Sequence, residues 1–407
     1  MSCKIKDLCI KIGSGGTPSR KNKSYYECGS VKWLKTKELN DTIIYDTEEK
    51  ITEEALSKSS AKIFPKNTVV MAMYGATVGK LGILGDDIST NQACCNMVLN
   101  EKVCNYKFLY YSLIYNRENL INLANGAAQQ NLNVGIIGNY EIDRPDLEEQ
   151  EKIANILSSL DDKIELNNEM NKTLEEMAQA LFKRWFVDFE FPNENGEPYK
   201  SSDGEMVESE LGMIPKGWEV SCIYDLAEYI NGTSFKAKDY SDSGLPIIKI
   251  AELKNGITEG TKFFAGEKDN KFYLKNKDIL FSWSGNPDTS IDTFIWYKGD
   301  AILNQHIFKV IPKIEDGYSF IYLMLKHLKT TFTNIARNKQ TTGLGHVTVK
   351  DLKELKISIN YERIKDFAKI AKPIVDKIIE NNNNTELITN IRDNLLPKLM
   401  SGEIRVK

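Results

Sequence analysis

Histidine is scarce in this sequence: three in 407 residues, His306, His327 and His346, all in the second half. Imidazole is the commonest side chain for metal ligation and for proton transfer near neutral pH. A catalytic centre built on it in both halves is therefore excluded, and no metal-ligand spacing surrounds the three. Long apolar runs are also missing. None approaches the roughly 18–20 residues of a membrane span, and Met1–Gly13 alternates lysine with apolar residues where a signal peptide would have an apolar core. No membrane association and a cytoplasmic location are expected. The seven cysteines contain no Cys-x-x-Cys pair. Six of them, Cys3, Cys9, Cys28, Cys94, Cys95 and Cys104, lie in the first third, and Cys222 stands alone. This excludes a zinc ribbon and a redox motif, and reduced, structural thiols are expected. Strong net charge is missing too, at −4, which argues against a uniformly basic nucleic-acid binder. The distribution is uneven, however. Glu141–Glu176 holds 12 acidic and 4 basic residues, a net of −8 that leaves +4 for the rest of the chain.

Catalytic motifs are absent as well. Gly75-Ala76-Thr77-Val78-Gly79-Lys80-Leu81 is one residue short of a phosphate loop, and Leu81 stands where a magnesium-binding Ser or Thr belongs. A turn between two strands, with Lys80 exposed, is the expectation. Asp146, Asp161, Asp162 and Lys163 make a loose nuclease-like set that reads as a solvated acidic helix face. There is no dinucleotide fingerprint and no nucleophile elbow. Asn286-Pro287-Asp288 is the nearest approach to an amino-methyltransferase tetrapeptide.

What is present is repetition. Ile153, Leu157, Leu160, Ile164, Asn167, Asn171, Leu174, Ala178, Leu181 and Trp185 alternate steps of four and three, the seam of a coiled coil. Ile364, Phe367, Ala371, Ile374, Ile378, Asn381, Thr385, Ile388, Leu395 and Leu399 repeat it, with Arg392 the one misfit. Asp376-Lys377-Ile378 follows Asp162-Lys163-Ile164 by 214 residues, as Asn381-Asn382 follows Asn167-Asn168. Consecutive polar seam positions cost stability and fix register. Pro373 should kink or restart the second helix. The segments preceding the helices repeat with offsets of 210 to 218. Asp7-Leu8 answers Asp225-Leu226, Trp33–Leu39 answers Ile247–Leu253, Val69–Ala72 answers Ile279–Ser282, Asn91-Gln92 answers Asn304-Gln305, and Phe108–Leu113 answers Phe320–Leu325 as a short helix. Short β-branched runs with Gly, Asn, Asp and Pro between them read as strands and turns.

The expected fold is α/β (α+β). Two mixed α/β heads with bent sheets are separated by two long antiparallel coiled-coil helices in a pseudo-twofold repeat. The expected divisions are a first head over 1–146, a central helix over 147–187, a crossover linker over 188–217, a second head over 218–360, a distal helix over 361–400 and a tail over 401–407. Antiparallel helices place the heads at opposite ends, and parallel ones would crowd them together. A 39-residue helix is about 58 Å long and could space two heads by one to two turns of B-DNA.

Each head carries loops suited to nucleic acid. In the first, Arg20, Lys21 and Lys23 lie in a basic, hydroxyl-rich loop ending in Tyr25-Tyr26. Lys35, Lys37 and Lys80 add charge, and Asn91, Gln92, Gln129, Gln130 and Asn133 add amides. In the second, the candidates are Lys236, Lys238, Lys249, Trp283, Ser284, Asn304, Gln305, Arg337, Lys339 and Gln340. Arg and Lys neutralise phosphates, and Asn and Gln pair with adenine edges in the major groove.

Gly15-Gly16-Thr17-Pro18-Ser19 with Trp33-Leu34-Lys35, Leu147–Ile153 with Leu181–Phe186, Leu211–Trp218 and Leu395–Ile404 occur in an order that resembles the DNA-specificity subunit of type I restriction–modification systems. The resemblance covers essentially the whole chain. It implies two target-recognition domains on antiparallel helices and a bipartite double-stranded DNA target with an unread gap. It also implies methyltransferase subunits using S-adenosylmethionine and restriction subunits using ATP and Mg²⁺ as partners, so that this chain itself holds no cofactor and no catalytic residue. Two departures are the missing Ile-Pro-x-Gly-Trp opening before the first head and the missing Glu-Glu-Gln start of the second helix. The acidic face carrying Glu169, Glu175 and Glu176 is expected to dock a basic methyltransferase surface. The alternatives are a recognition subunit of a single-chain nuclease-methyltransferase and a coiled-coil scaffold with two protein-binding heads.

Overall fold

The computed structural model describes residues 2–125, 131–340 and 343–406. It divides into two compact units, Met1–Lys163 with Ile388–Lys407, and Ile164–Leu387. The division passes through both long helices, Leu147–Phe186 and Tyr361–Met400, which are 40 residues each and begin 214 residues apart.

The first unit holds two principal sheets. In the larger, Cys9–Ser14, Cys94–Leu99, Val69–Ala72, Leu81–Leu84 and Thr42–Ile44 lie side by side, antiparallel except for the last pair. The smaller orders Glu49–Ile51, Val31–Leu34, Ile88–Thr90 and Ile63–Phe64. Val69, Met71, Leu81 and Met97 are buried to the last atom because helix Tyr106–Tyr115 covers that face with Phe108, Leu109 and Leu113. Asn105 caps this helix, its side-chain oxygen accepting from the amides of Lys107 at 2.9 Å and Phe108 at 3.2 Å, which satisfies donors the helix leaves open.

The second unit repeats this plan. One sheet orders Ala227–Asn231, Ile307–Pro312, Ile279–Ser282 and Asp292–Ile295, and the other Phe263–Phe264, Leu245–Ile248, Ala301–Leu303 and Tyr273–Leu274. Helix Tyr318–His327 takes the place of Tyr106–Tyr115 and buries Phe320, Leu323 and Leu325. In each unit the second of these sheets contains one parallel pair. Trp33 faces Ser89 and Leu34 faces Thr90 in one; Ile247 faces Ile302 and Ile248 faces Leu303 in the other.

Within each unit the long helices run antiparallel. In the second unit Asn167 reaches Thr385, Asn171 reaches Asn381 and Asn382, and Phe182, Trp185 and Phe186 surround Phe367. In the first, Asp161 binds Arg392 at 2.7 Å. Arg392, the misfit in the seam, thus has a reason: Asp161 accepts from it on one oxygen and from the Tyr111 hydroxyl, at 2.6 Å, on the other.

The fresh helix start expected as one alternative at Pro373 does not occur, since the distal helix is continuous from Tyr361 to Met400. Pro373 and Lys369, whose carbonyl loses its helical donor, are both exposed, so water can satisfy that carbonyl. The segment read as a linker is folded. Met206–Ser209 and Gly212–Pro215 form a hairpin, and Phe191, 2% exposed, stacks between Tyr199 and Trp218 at 4.6 and 5.2 Å.

All seven cysteines are free. Burial pushes the Cys94 and Cys104 thiols up to about 12 and raises Cys95 further, whereas Cys28 is exposed. Because the thiolate is the nucleophile, a thiol reagent should label Cys28 in the native protein and reach Cys94, Cys95 and Cys104 only after denaturation. Mass mapping of early adducts on Cys95 would contradict this packing.

Candidate nucleic-acid interface

Three chain segments meet at the end of the parallel strand pair in each head. In the first unit, the Gly16 amide donates to the Thr90 carbonyl at 2.8 Å and the Asn91 amide to the Leu34 carbonyl at 2.9 Å. The Thr17 hydroxyl bonds the Gln92 side chain. Gly15 and Gly16 are needed here, because a Cβ would lie 2.1 Å from the Thr90 carbonyl oxygen and 2.2 Å from that of Ser60 respectively. In the second unit, Thr233 donates to Leu303 at 3.1 Å, Gln305 to Thr233 at 2.8 Å and Asn304 to Ile248 at 3.1 Å. A Cβ on Gly232 would lie 2.0 Å from the Asn304 carbonyl oxygen. The lysine after each strand starts a capped turn: the Lys35 amide donates to Glu38 at 3.1 Å and the Lys249 amide to Glu252 at 3.0 Å.

Most of the expected basic residues are already paired. Glu49 accepts from Arg20 at 2.7 Å and from Lys35 at 2.5 Å, and Glu48 pairs with Lys37. The Lys35 ammonium, with Arg20 beside it, holds the Glu49 carboxyl below its usual range. Lys80 does sit in a turn between two strands, but it is tied to Asp41 at 3.0 Å together with Arg117 at 2.6 Å. In the second unit Lys339 binds Asp351 at 2.5 Å, Arg337 pairs with Asp288, and Lys249 lies over the Tyr240 ring. Lys21, Lys23, Lys236 and Lys238 are exposed, and among the described residues no ion pair holds their ammonium groups.

The amides divide by use. Gln92 and Gln305 are exposed beside the glycine turns. Asn91 turns its oxygen inward to the Ala93 amide at 3.2 Å. Asn133 caps helix Val134–Asn139 through the Ile136 amide at 2.9 Å, a structural use. Gln129 and Gln130 lie outside the described residues. Gln340 closes a turn through its own amide on Arg337 at 3.1 Å. Trp283 is half-buried, its indole N–H on Asn231 at 3.0 Å and its ring beside His306 and Phe308. Ser284 pairs with His346 in a short ladder.

The cluster in the first unit therefore unites Arg20, Lys35, Lys37, Asn91 and Gln92, and that in the second unites Lys249, Asn304 and Gln305. Glu48 and Glu49 were missed in the sequence, although three acids among Asp46–Glu49 were a visible signal. Glu175, expected on the docking face with Glu169 and Glu176, is only partly exposed. It lines a cavity of about 140 Å³ with Tyr322, whose phenol is pushed far up by burial, with Glu175 adding to it. Glu169 and Glu176 are exposed as expected.

Two heads of one design, each with basic and amide side chains gathered at a strand end, and each with a stretch of paired long helices, define a two-headed recognition protein. The chain belongs to the type I restriction modification DNA specificity family, whose sequence model matches it twice, over residues 1–176 and 215–390. It is a specificity subunit, and not itself an enzyme. It is 31% identical to the type I restriction enzyme MjaIX specificity subunit of Methanocaldococcus jannaschii, across 99% of this chain and 93% of that protein. It is 28% identical to the HindI specificity subunit of Haemophilus influenzae, across 66% of this chain and 70% of the other. The fold resembles that of a type I S subunit from M. genitalium, with a TM-score of 0.59 and 17% identity over 98% of this chain and 96% of that one. No helix among the described residues is long and apolar enough to cross a membrane.

Proposed function

We propose that the chain reads a bipartite double-stranded DNA target, one half-site per head, with an unread spacer between. The observation that carries this reading is the double occurrence of one surface: Gly16-Thr17, Lys35 and Asn91-Gln92 in the first unit, and Gly232-Thr233, Lys249 and Asn304-Gln305 in the second. In this reading cytoplasmic methyltransferase subunits using S-adenosylmethionine and restriction subunits using ATP and Mg²⁺ assemble on the chain and supply the chemistry. Methylation mapping in cells carrying the intact system should return two short motifs at a fixed separation. One uninterrupted motif would defeat the two-headed reading.

The unpaired lysines should act on phosphates. Replacing Lys21 and Lys23 together by alanine should lower the slope of log affinity against log salt by about two and leave the methylated letters unchanged. Binding titrations of the assembled complex from 50 to 200 mM salt measure this. An unaltered slope would remove these residues from the interface.

A further inference from the structure

Arg20 is built in more firmly than a solvated arginine. Its guanidinium carbon lies 4.2 Å from the centroid of the Tyr26 ring and 5.1 Å from that of Trp33. Both rings are themselves anchored. The Tyr26 hydroxyl donates to the Pro18 carbonyl at 2.6 Å, and the Trp33 indole N–H to the Gly16 carbonyl at 3.0 Å. One terminal nitrogen of Arg20 donates to Glu49, and the other oxygen of Glu49 is taken by Lys35. The side chain nevertheless remains 54% exposed, and among the described residues its other N–H groups have no acceptor.

The two rings, which stand at 68° to each other, and the Glu49 carboxylate hold the guanidinium from three sides. What remains is a planar fork of donors on a side chain held by three partners. A phosphate takes a bidentate fork or a bare point charge alike, so it does not require an arginine held in this way. Two acceptors fixed in one plane do need it, and in the major groove the bidentate partner of arginine is guanine, through O6 and N7.

We propose that Arg20 reads a guanine in one half-site, with Glu49 and Tyr26 as its positioning residues. The proposal rests on the two-headed DNA reading above. The second head lacks this device. Counted from the Gly-Thr pair, Lys236 stands where Arg20 does. Glu49 faces Trp33 across the smaller sheet of the first unit, whereas the Ile247 amide bonds the carbonyl of Lys262 at 2.8 Å, so that a cation replaces the orienting acid. An ammonium is a point charge without a fork, which assigns Lys236 to a phosphate.

The test is methylation mapping with the complete complex, comparing wild type with Arg20→Ala, Arg20→Lys, Glu49→Gln and Lys236→Ala. Arg20→Ala and Arg20→Lys should each relax one G·C position of one half-site, with discrimination there falling roughly ten- to a hundredfold, while the other half-site and the spacer stay as they are. Glu49→Gln should relax the same position less. Lys236→Ala should lower methylation at all sites and change no letter. If both Arg20 variants keep every letter and lose only overall methylation, Arg20 is a phosphate contact and the proposal is overturned. Relaxation at an A·T position would overturn it equally. Co-purification of each variant with its partners separates lost assembly from lost reading, and Glu49→Gln still reports the position if both Arg20 variants fail to assemble. A wild-type complex that methylates no two-part motif would instead bring down the underlying reading.

Discussion

Replacing Phe367 by alanine should cost about 3–5 kcal/mol of unfolding free energy, one of the largest single-site effects the chain offers. Phe367 is fully buried and is the distal helix's contribution to a cluster of rings. Phe182, Trp185 and Phe186 of the central helix stand 6.1, 5.7 and 5.1 Å away between ring centroids, and Phe186 continues the cluster to Phe320 at 4.8 Å and Trp218 at 5.6 Å. Truncation removes the transfer energy of one ring and leaves a cavity walled by other rings, which cannot collapse without breaking their edge-to-face geometry. Trp185 and Trp218 lie inside the cluster, so denaturant unfolding followed by tryptophan fluorescence reports directly on it. The midpoint should fall without a comparable change in slope. Tyr361→Ala, at the exposed start of the same helix, should leave the midpoint within about 0.5 kcal/mol of wild type. A loss below about 1 kcal/mol at Phe367 would mean that the cluster does not hold the helices together.

The helices were the most legible part of the chain, because a seam of alternating fours and threes is a local pattern and its repetition at 214 residues is a strong internal check. Arg392 broke the pattern for a reason no local reading supplies, since its partner Asp161 lies 231 residues away. Strands were visible as apolar runs, but the parallel pairing of Val31–Leu34 with Ile88–Thr90 was not, because five strands lie between them and three of these, Thr42–Ile44, Val69–Ala72 and Leu81–Leu84, join the other sheet. The segment after Phe186 looked like a linker because polar residues outnumber aromatic ones. Four aromatic residues, Phe189, Phe191, Tyr199 and Trp218, pack together in it. At the interface the sequence showed which residues are basic, and the structure showed which of them are spent. Asp41 collects Lys80 from 39 residues away and Arg117 from 76 residues away. Sequence composition counts such cations as free, while pairing removes them from the pool available to a phosphate.

The polar layer between the helices should behave as a coupled unit, with opposite outcomes for single and double replacement. Asn381 is 1% exposed and donates to the Asn171 side-chain oxygen at 3.0 Å, while Asn171 donates to Asn382 at 2.8 Å. Asn381→Leu leaves the Asn171 oxygen in a closed seam without its donor, which should cost about 1–3 kcal/mol. In Asn171→Leu/Asn381→Leu both polar groups are gone and two apolar side chains meet. Asn382, being only partly buried, can turn to water. The double variant should therefore be at least as stable as wild type, so that the sum of the single losses overestimates its loss by more than about 2 kcal/mol. A double variant as unstable as that sum would show that the layer is not a pair. Buried asparagines normally fix register, yet register here has other guarantors. The ring cluster ties Phe367 to Phe182, Trp185 and Phe186 of the other helix, and a salt bridge ties Arg392 to Asp161. A slip by one heptad would break both contacts, and two leucines cannot repay that loss. The methylated motif of the double variant is accordingly expected to keep its spacer, and a broadened spacer would show that the asparagines alone hold the register.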